Sequence, residues 1–433
     1  MFDFKAHGTS PKTEVLAGAT TFFTMAYIMV VNPLILQDAG VPFNQVFTAT
    51  VISTIIGTLL MGLLAKYPIA IAPGMGLNAY FTYSVVLAHS GLSYQEAFSA
   101  VFVAGILFLL LSLTSLRSKL IEIIPSNLKY AITAGIGLFI AFVGLRLSGI
   151  IVANKSNLVG LGDLHSSGVI LTLVGLGITL VLMSLNVNGA IFIGMVVTGI
   201  IAWLIGMLSF HNGFVSMPTL PEGIIVWNPI EAVKDVFSNH LYAVVFSFLL
   251  VTLFDTTGTV LGVAQQAGLM KDGKLPRAER TLFSDSVATV AGSMLGTSPT
   301  SAYIESASGV GAGGRTGLTA VVVAVLFAIS AFFSPLVGSV SSLASITAPA
   351  LIIVGCLMLG SVKQIEWERF DEAFPAFIVI LTMPLTSSIA TGIALGFISY
   401  PLMKMVKGQF KAIHPMLYIF AILFVLQLVF VPH

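Results

Sequence analysis

"TSAYIESASGVGAGGRTG", residues 300–317, places one carboxylate, Glu305, among small residues in a chain that is otherwise strongly apolar. The stretch predicts a short extended piece followed by a half-helix. "YPIAIAPGMGLNAYFTYSVV", residues 67–86, has the same pattern, with β-branched and proline residues first and a helical sequence only after Gly74 and Gly76. These two interrupted stretches decide the fold, because the segments around them are continuous apolar runs.

The composition indicates a membrane protein. Of 433 residues, 57% are hydrophobic and 9% are charged, and the mean hydropathy is +1.01. The formal net charge of +1 argues against a nucleic-acid partner, and a single cysteine excludes an intramolecular disulfide framework. The seven histidines form no ligand spacing, so we predict neither a metal site nor a cofactor.

Apolar runs long enough to cross the bilayer predict an all-α polytopic protein with about fourteen transmembrane segments in one unit. The polar stretch 210–240 divides them into two sets of seven, and we expect it to carry a short surface helix. The predicted segments are 15–36, 45–65, 68–88, 95–115, 127–146, 168–186, 188–209, 239–264, 280–296, 298–312, 316–333, 341–360, 371–404 and 412–431.

The distribution of lysine and arginine favours a cytoplasmic N-terminus, because basic residues accumulate in cytoplasmic loops. One basic cluster, Lys404, Lys407 and Lys411, contradicts a simple count of crossings. The stretch 371–404 is broken at "TMPLTSS", residues 382–388, so we interpret it as two short helices that enter the membrane and return.

The two interrupted segments, the third and the tenth, occupy matching places in the two sets, and Asn78 and Glu305 lie about 227 positions apart. An odd number of segments per set inverts the second copy, which predicts two inverted repeats of seven. Extended backbone at membrane depth is tolerated only where protein buries it or where it lines a cavity, so the two extended pieces are expected to pair. Interrupted segments at matching places indicate the binding site of a transporter.

Two carboxylates fall inside apolar segments, Asp255 and Glu305, and each costs several kcal/mol unless it faces a cavity or a partner. The alternative is a buried acid that only hydrogen-bonds neighbouring helices. Two acids at corresponding depth favour a planar ligand with N–H donors, and burial favours the protonated form, so one acid can carry a proton. Aromatic residues near them are stacking candidates, although packing is the commoner role: Phe22, Phe23, Tyr27, Phe254 and Tyr303.

Two motifs suggest other functions, and neither fits. "FDTTG", residues 254–258, has an extra threonine compared with the aspartic-protease motif, and it has no second copy. "GVGAGG", residues 309–314, matches the spacing of a dinucleotide-binding loop but lacks the preceding strand of a soluble βαβ unit and the following acid. Gly309 and Gly313 are better explained by close helix packing. We predict that the protein is not an enzyme.

Four stretches resemble the signatures of the adenine, guanine and hypoxanthine permeases, the azaguanine-type branch of the nucleobase-cation symporters related to xanthine and uracil permeases. They are "TTFFTMAYIMVVNPLIL", "APGMGLNAYF", "LFDTTGT" and "TSAYIESASGVGAGGRTGLT". The resemblance implies a fourteen-helix fold with a core domain, residues 15–115 and 239–333, and a gate domain, residues 117–209 and 341–431. It also implies proton-coupled purine uptake.

By position, Asp255 and Glu305 resemble the two acids that hold the base in this family, and Asn78 resembles an asparagine important for activity. Asp285 lies where the wider family often has an acid, so it joins Asp255 and Glu305 as a proton-coupling candidate; the alternative is a residue at the cytoplasmic helix end. The further predicted substrate contacts are Tyr303, Phe254 and Ser306.

We therefore predict a multi-pass carrier of the cytoplasmic membrane that imports hypoxanthine, guanine or adenine by alternating access, with H⁺ as coupling ion. The alternatives are a xanthine- or uracil-type carrier, or an anion carrier of the related sulfate-transporter fold. Two acids at the half-helix ends disfavour an anion. The expected partners are the purine and the lipid bilayer. A homodimer is one option for assembly, and the sequence leaves the preferred purine and the oligomeric state open.

Overall fold

The computed structural model describes residues 2–88, 91–114, 124–154, 158–210, 213–218, 221, 223–270, 275–411 and 413–430, although the side chains of Phe254, Ala390, Gln427 and Phe430 are outside this description. The predicted segment ends at 115 and 431, and the start of the predicted gate range at 117–123, also lie outside the described residues. In the described part the chain is mostly helical, and four short strands form two antiparallel pairs.

The described residues of the first half form eight helices and three strands. They are α1 Pro11–Met25, α2 Ile28–Asp38, α3 Phe43–Leu60 with a wider turn at Met61–Ala65, β1 Ile71–Pro73, α4 Met75–Ala79 continuing through wider turns at Tyr80–Val86, α5 Tyr94–Ser112, α6 Ser126–Leu147, β2 Ile151–Asn154, β3 Leu158–Leu161, α7 Ser167–Ser184 and α8 Ala190–Leu204.

In the second half, the part that the structure describes forms ten helices and one strand. They are α9 Pro229–Ser238, α10 Tyr242–Gln266, α11 Ala278–Leu295, β4 Thr300–Ala302, α12 Ser306–Gly311, α13 Gly317–Ser330, α14 Ser334–Ser341, α15 Ala344–Leu359, α16 Phe370–Leu385, α17 Ile389–Val406 and α18 Pro415–Phe430, with 3₁₀ turns at Ala331–Phe333 and Gly360–Gln364.

Eight helical stretches of the described residues are long and apolar enough to cross a membrane, and three shorter apolar helices accompany them. The all-helical membrane architecture predicted from the sequence is confirmed, whereas the count of fourteen segments stays a prediction. The predicted surface helix between the two halves is α9. The hairpin of β2 and β3 between α6 and α7 was not predicted; its residues are mostly exposed, and the sequence there shows no clear alternation.

The first predicted segment is broken in the middle. Helix α1 ends at Met25 and α2 begins at Ile28, and the turn at Ala26 and Tyr27 contains neither glycine nor proline. Both turn residues are buried, with exposed fractions of 0% and 1%. The break therefore lies inside the protein, where neighbouring groups can satisfy the freed backbone.

The stretch 371–404 is a helical hairpin, as its broken sequence predicted. Helices α16 and α17 pack along each other, and the chain turns at Thr386–Ser388, where Ser387 has a φ of 50°. The Lys404 ammonium lies 2.5 Å from a carboxylate oxygen of Asp371. Because the two ends of the hairpin touch, the lysines after α17 lie on the same side of the protein as the start of α16.

The helices pack mainly in two groups. The first group consists of α1, α3, α5, α10, α11 and α13, and the second consists of α6, α7, α8, α15, α16, α17 and α18. Close approaches depend on glycine, as between α6 and α15, where a Cβ at Gly137 would lie 2.7 Å from the carbonyl oxygen of Gly355. Strands β1 and β4 and the short helices α4 and α12 belong to the two interrupted segments, and they place the candidate site.

Candidate functional site

The extended pieces of the two interrupted segments pair with each other, as predicted. Strands β1 and β4 are antiparallel, with Ile71 opposite Ala302 and Pro73 opposite Thr300. The Gly74 N–H adds a hydrogen bond to the Pro299 carbonyl at 2.9 Å. Every residue of the two strands is buried. Their first residues are 229 positions apart, close to the predicted repeat of about 227.

The half-helices α4 and α12 begin next to these strands. Helix α4 begins at Met75, two residues before the start after Gly76 that the sequence predicted, so Gly76 is already helical. Helix α12 is a short helix, with Glu305 at its N-terminal boundary. The helix of Asn78 therefore follows strand β1, and Glu305 follows its partner strand β4.

Asp255 lies on α10 beside strand β4. Thr256, the next residue of α10, accepts the Ala302 N–H of β4 at 3.2 Å, so the Asp255 turn of α10 lies against the strand that leads to Glu305. Asp255 is partly buried, whereas Ser301 is 2% exposed. The structure thus brings together the two acids that are 50 positions apart in the sequence.

Asp285 ties β4 to the helices behind it. The Thr256 hydroxyl donates to one carboxylate oxygen at 2.5 Å, and the Thr300 hydroxyl donates to the other at 2.6 Å. The Thr256 oxygen in turn accepts the Ala302 N–H at 3.2 Å. Asp285 is fully buried on α11. Its hydrogen-bond partner Thr256 is the residue next to Asp255 on α10. It is therefore an internal support of the site and not an exposed helix-end residue.

Glu305 accepts a short hydrogen bond from the Tyr27 phenol. Tyr27 lies in the break between α1 and α2, so this bond joins the broken first segment to the tenth. The sequence predicts Tyr27 only as a candidate stacking residue. The internal repeat could have indicated its place, because a shift of 228 positions brings Tyr27 onto Asp255.

Tyr303 and Ser306 connect the two interrupted segments. The Tyr303 phenol donates to the Pro73 carbonyl at 2.6 Å, and the Ser306 oxygen accepts the Ala70 N–H at 3.0 Å. Both side chains are buried, and both flank Glu305 in the sequence. Their role in substrate binding stays a prediction, and the side chain of Phe254 is outside the described part of the structure.

The two other aromatic candidates lie within helix contacts. Phe22 packs edge-on against Phe327 of α13, with ring centroids 5.2 Å apart. Phe23 is half-exposed and lies 6.0 Å from the Phe192 ring of α8, which belongs to the second group of helices. These contacts are typical of packing.

Asn78 belongs to a buried polar network that sequence analysis did not find. Its amide nitrogen donates to the Asn32 oxygen at 3.1 Å. The Asn32 nitrogen donates to the hydroxyls of Thr50 and Thr297, at 2.7 Å and 2.8 Å. The sequence does contain a sign of this network, because Asn32 is an amide residue inside the apolar run "IMVVNPLIL", residues 28–36.

The site is rich in hydrogen-bond acceptors. Asp255 and Glu305 contribute carboxylate oxygens, and the buried Asn78 Oδ1 has no hydrogen-bond partner among the described residues. A site of this kind suits a ligand that presents N–H donors, because a buried acceptor without a donor costs about 1–3 kcal/mol.

Gly309 sets the distance between α12 and α1, as its small size predicted. A Cβ at this position would lie 2.6 Å from the Ala17 carbonyl oxygen and would collide with the Thr21 hydroxyl. Gly313 has a φ of 103°, and a Cβ there would approach the Thr13 methyl at 2.6 Å. Both glycines therefore let the Glu305 segment approach α1.

We expect Gly309→Ala to lower the stability of the protein by about 1–3 kcal/mol, because the methyl group pushes α12 away from α1. Gly311→Ala is the matched control, since a Cβ at that position of the same short helix meets no atom within 4 Å. The measurement is the thermal unfolding midpoint of both variants in detergent. Equal midpoints for the two variants would contradict the packing role of Gly309.

Comparison with known proteins agrees with this architecture. The model of the Permease family matches residues 12–395. The chain is 65% identical to guanine/hypoxanthine permease PbuO of Bacillus subtilis over 99% of both chains. It is 45% identical to adenine permease AdeP of Escherichia coli, over 100% of this chain and 96% of that relative.

Among solved structures, the transmembrane domain of the cyanobacterial bicarbonate transporter BicA is similar, with a TM-score of 0.65 at 16% identity, covering 88% of this chain and 96% of that chain. Murine Slc26a9, an anion transporter in the inward-facing state, has a TM-score of 0.65 at 12% identity, covering 92% and 68%. At these identities the likeness concerns the fold alone.

Proposed function

Because this chain belongs to the Permease family, as its signature stretches predicted, we propose that it imports the purine nucleobases hypoxanthine, guanine and adenine by proton symport. It is a multi-pass membrane transporter and not an enzyme. The purine assignment is supported by the names of its relatives, which are guanine/hypoxanthine and adenine permeases. The observation that carries the proposal is that the helix of Asp255 and the segment of Glu305 both lie at strand β4 of the strand pair.

In this proposal the two carboxylates accept N–H groups of the base. Tyr27 donates to one oxygen of Glu305 and so fixes the orientation of the carboxylate. A purine has ring N–H donors and, in guanine and adenine, an exocyclic amine, so its donor edge complements this set of acceptors.

Proton coupling is assigned to Asp255 and Glu305. Asp285 is the third candidate, but both of its carboxylate oxygens already accept hydrogen bonds from Thr256 and Thr300. A carboxylate held by these two hydroxyls is better suited to fixing the position of β4 than to exchanging a proton during transport. The acid that binds and releases the proton during transport then also contacts the base. This shared group couples proton movement to purine movement.

We propose that the first group of helices, together with α2 and the two interrupted segments, is the core domain and the second group the gate domain, and that the two move relative to each other. Aromatic contacts join them, as between Phe246 of α10 and Phe420 of α18, and so do polar contacts near Tyr83. The Arg146 guanidinium of α6 lies 4.8 Å from the centre of the Tyr83 ring, and Tyr83 donates to Asp38 at 2.7 Å. The Ser84 hydroxyl donates to the Ser387 carbonyl in the α16–α17 turn at 2.7 Å.

These four side chains lie at segment ends that the charge pattern places outside the cell, if the N-terminus is cytoplasmic. Under that orientation the contacts close the outer side in this conformation. We place the protein in the cytoplasmic membrane with its N-terminus inside. Asp38, Tyr83 and Arg146 would then separate when the site opens outward.

The test is uptake of labelled hypoxanthine by cells that lack their own purine permeases. We expect saturable uptake that unlabelled guanine or adenine inhibits and that a protonophore abolishes. Replacement of sodium by potassium should leave the rate unchanged if H⁺ is the coupling ion. Well-expressed protein without purine-dependent uptake would contradict the proposal.

The alternative carriers are tested in the same assay. Inhibition by xanthine or uracil in preference to the other bases would favour a xanthine- or uracil-type carrier. An anion carrier deserves testing because the fold resembles the BicA and Slc26a9 structures. Sulfate and bicarbonate are therefore included as competitors, and we expect neither to inhibit, because the site presents two acids.

A further inference from the structure

The direction of the Thr50 hydroxyl determines the orientation of the Asn32 amide. Thr50 donates its single proton to the Val46 carbonyl at 2.6 Å, one helical turn earlier in α3. Its oxygen can then only accept a hydrogen bond from Asn32, at 2.7 Å. The group of Asn32 that faces Thr50 must therefore be the amide nitrogen. Thr297 lies 2.8 Å from the same nitrogen and provides its second acceptor.

The orientation of Asn32 in turn fixes that of Asn78. With its nitrogen facing the two threonines, Asn32 presents its amide oxygen to Asn78, and the Asn78 nitrogen donates to it at 3.1 Å. A rotated Asn78 amide would place two oxygens against each other. Asn78 is fully buried, so it cannot exchange this contact for bulk water.

The consequence is an acceptor that the described residues leave without a partner. The Asn78 nitrogen is engaged, and its Oδ1 has no hydrogen-bond partner among them. Buried polar atoms of native proteins are nearly always paired, and an unpaired acceptor costs about 1–3 kcal/mol. The same helix, α4, begins at the β1 end of the strand pair that carries the Glu305 segment.

We propose that Thr50 and Asn32 form a relay that holds the Asn78 amide with its oxygen available to an N–H donor of the transported base. Asn32 and Thr50 are positioning residues, because they act through Asn78 and do not touch the base. The proposal rests on the purine transport proposed above and adds to it the sense of the amide: Asn78 accepts, and the complementary group on the ligand is a ring N–H or an exocyclic amine.

The relay makes a specific prediction for Thr50→Val, which removes the hydroxyl but keeps the shape of the side chain. Without that acceptor the Asn32 amide loses its fixed orientation, and so does Asn78. We expect the inhibition constant of hypoxanthine to rise about threefold or more in Thr50→Val and about tenfold in Asn78→Ala, in line with the loss of one hydrogen bond. Thr50→Ser keeps the hydroxyl and should bind like the parent protein.

The decisive measurement is a double-mutant cycle of Thr50→Val and Asn78→Ala with hypoxanthine as the competing ligand. Since Thr50 acts only through Asn78, Thr50→Val should have no further effect in the Asn78→Ala background. Inhibition constants for 1-, 7- and 9-methylhypoxanthine identify the N–H concerned. The analogue that lacks this N–H should bind equally to the parent protein and to Asn78→Ala.

The controls separate a positioning role from loss of folding. Thr198 is a buried threonine of α8 that donates to its own helix at 2.7 Å, so Thr198→Val removes a comparable hydroxyl away from the site. It should leave the inhibition constants unchanged. Cell-surface amount and the thermal unfolding midpoint are measured for every variant, and the constants are compared only between proteins that match the parent.

Two results overturn the relay while purine transport stands. In the first, the parent protein transports purines, but the effects of Thr50→Val and Asn78→Ala on the inhibition constant are independent and multiply in the double variant. The second is a folded Thr50→Val protein whose inhibition constants equal those of the parent. A parent protein without purine-dependent uptake overturns the proposed function and the relay together, so the two failures are distinguishable.

Discussion

Glu305→Gln should lose purine binding by a factor of about 10–150 and should not accumulate purine in response to a proton gradient. The carboxylate accepts the Tyr27 phenol and, in the proposed function, an N–H of the base. Hydrogen bonds to a charged group contribute about 1.5–3 kcal/mol, and glutamine replaces one acceptor oxygen with an amide NH₂ group, so only one of the two donors keeps an acceptor, and that acceptor is uncharged. It also removes the proton-binding group. The measurement is the initial rate of hypoxanthine uptake with and without a protonophore.

Two further variants show which property of Glu305 matters. Tyr27→Phe removes only the phenol donor, so we expect weaker binding with proton coupling retained. Glu366→Gln makes the same chemical change on an ion-paired surface residue whose side chain is 56% exposed, and it should leave uptake unchanged. Normal saturable, proton-driven uptake by a well-inserted Glu305→Gln protein would exclude Glu305 from both binding and coupling.

The interrupted segments could be predicted because their signals are local. Proline, glycine and β-branched residues before Met75 and before Ser306 disfavour continuous helix, and an extended piece inside a membrane protein needs a partner strand. The acids Asp255 and Glu305 were conspicuous because charged residues are rare in apolar segments. Both inferences depend on composition within a few residues, which a sequence displays directly.

The partners of these residues could not be predicted in the same way. Tyr27 bonds Glu305 across 278 positions, and Asn32 bonds Thr297 across 265. Tyrosine and asparagine occur in membrane helices for many reasons, so residue type alone does not distinguish a support of the site from ordinary packing. The break at Ala26 and Tyr27 also contains no glycine or proline that would indicate it. The turn is buried, so tertiary contacts stabilise it, and a sequence does not display those contacts.

Lys404→Met should lower the free energy of unfolding by about 3–5 kcal/mol, the second large effect that the structure predicts. The Lys404 ammonium is 4% exposed and lies 2.5 Å from Asp371 and 2.6 Å from Glu372, whose side chains are 0% and 8% exposed. Removing the lysine leaves two buried carboxylates close together without their main counter-ion. The measurement is the thermal unfolding midpoint in detergent, supported by the rate of proteolysis in membranes.

Lys407→Met tests whether burial is the cause. Lys407 also pairs with Asp371, but its side chain is 46% exposed, so water replaces much of the interaction and the expected loss is below about 1 kcal/mol. Replacing the buried group as a whole, in Lys404→Met with Asp371→Leu and Glu372→Gln, should recover most of the stability, because no buried charge then stays unpaired and the half-exposed Lys407 and Arg369 are solvated by water. Glutamine at 372 keeps an acceptor for Tyr400, which donates at 3.0 Å.

The position of this ion cluster gives the variant a second consequence. Asn127 of α6 donates to Glu372 at 2.7 Å, so the cluster fastens the α16–α17 hairpin to α6. The turn of the same hairpin contacts Ser84, which lies after α4 in the first interrupted segment and so in the proposed core. Loosening the base of the hairpin therefore also loosens a contact between the proposed core and gate. We expect Lys404→Met to raise the hydrogen-exchange rate of the 386–388 turn, and Lys407→Met to leave it unchanged. Equal exchange in both variants would confine the role of the cluster to the hairpin base.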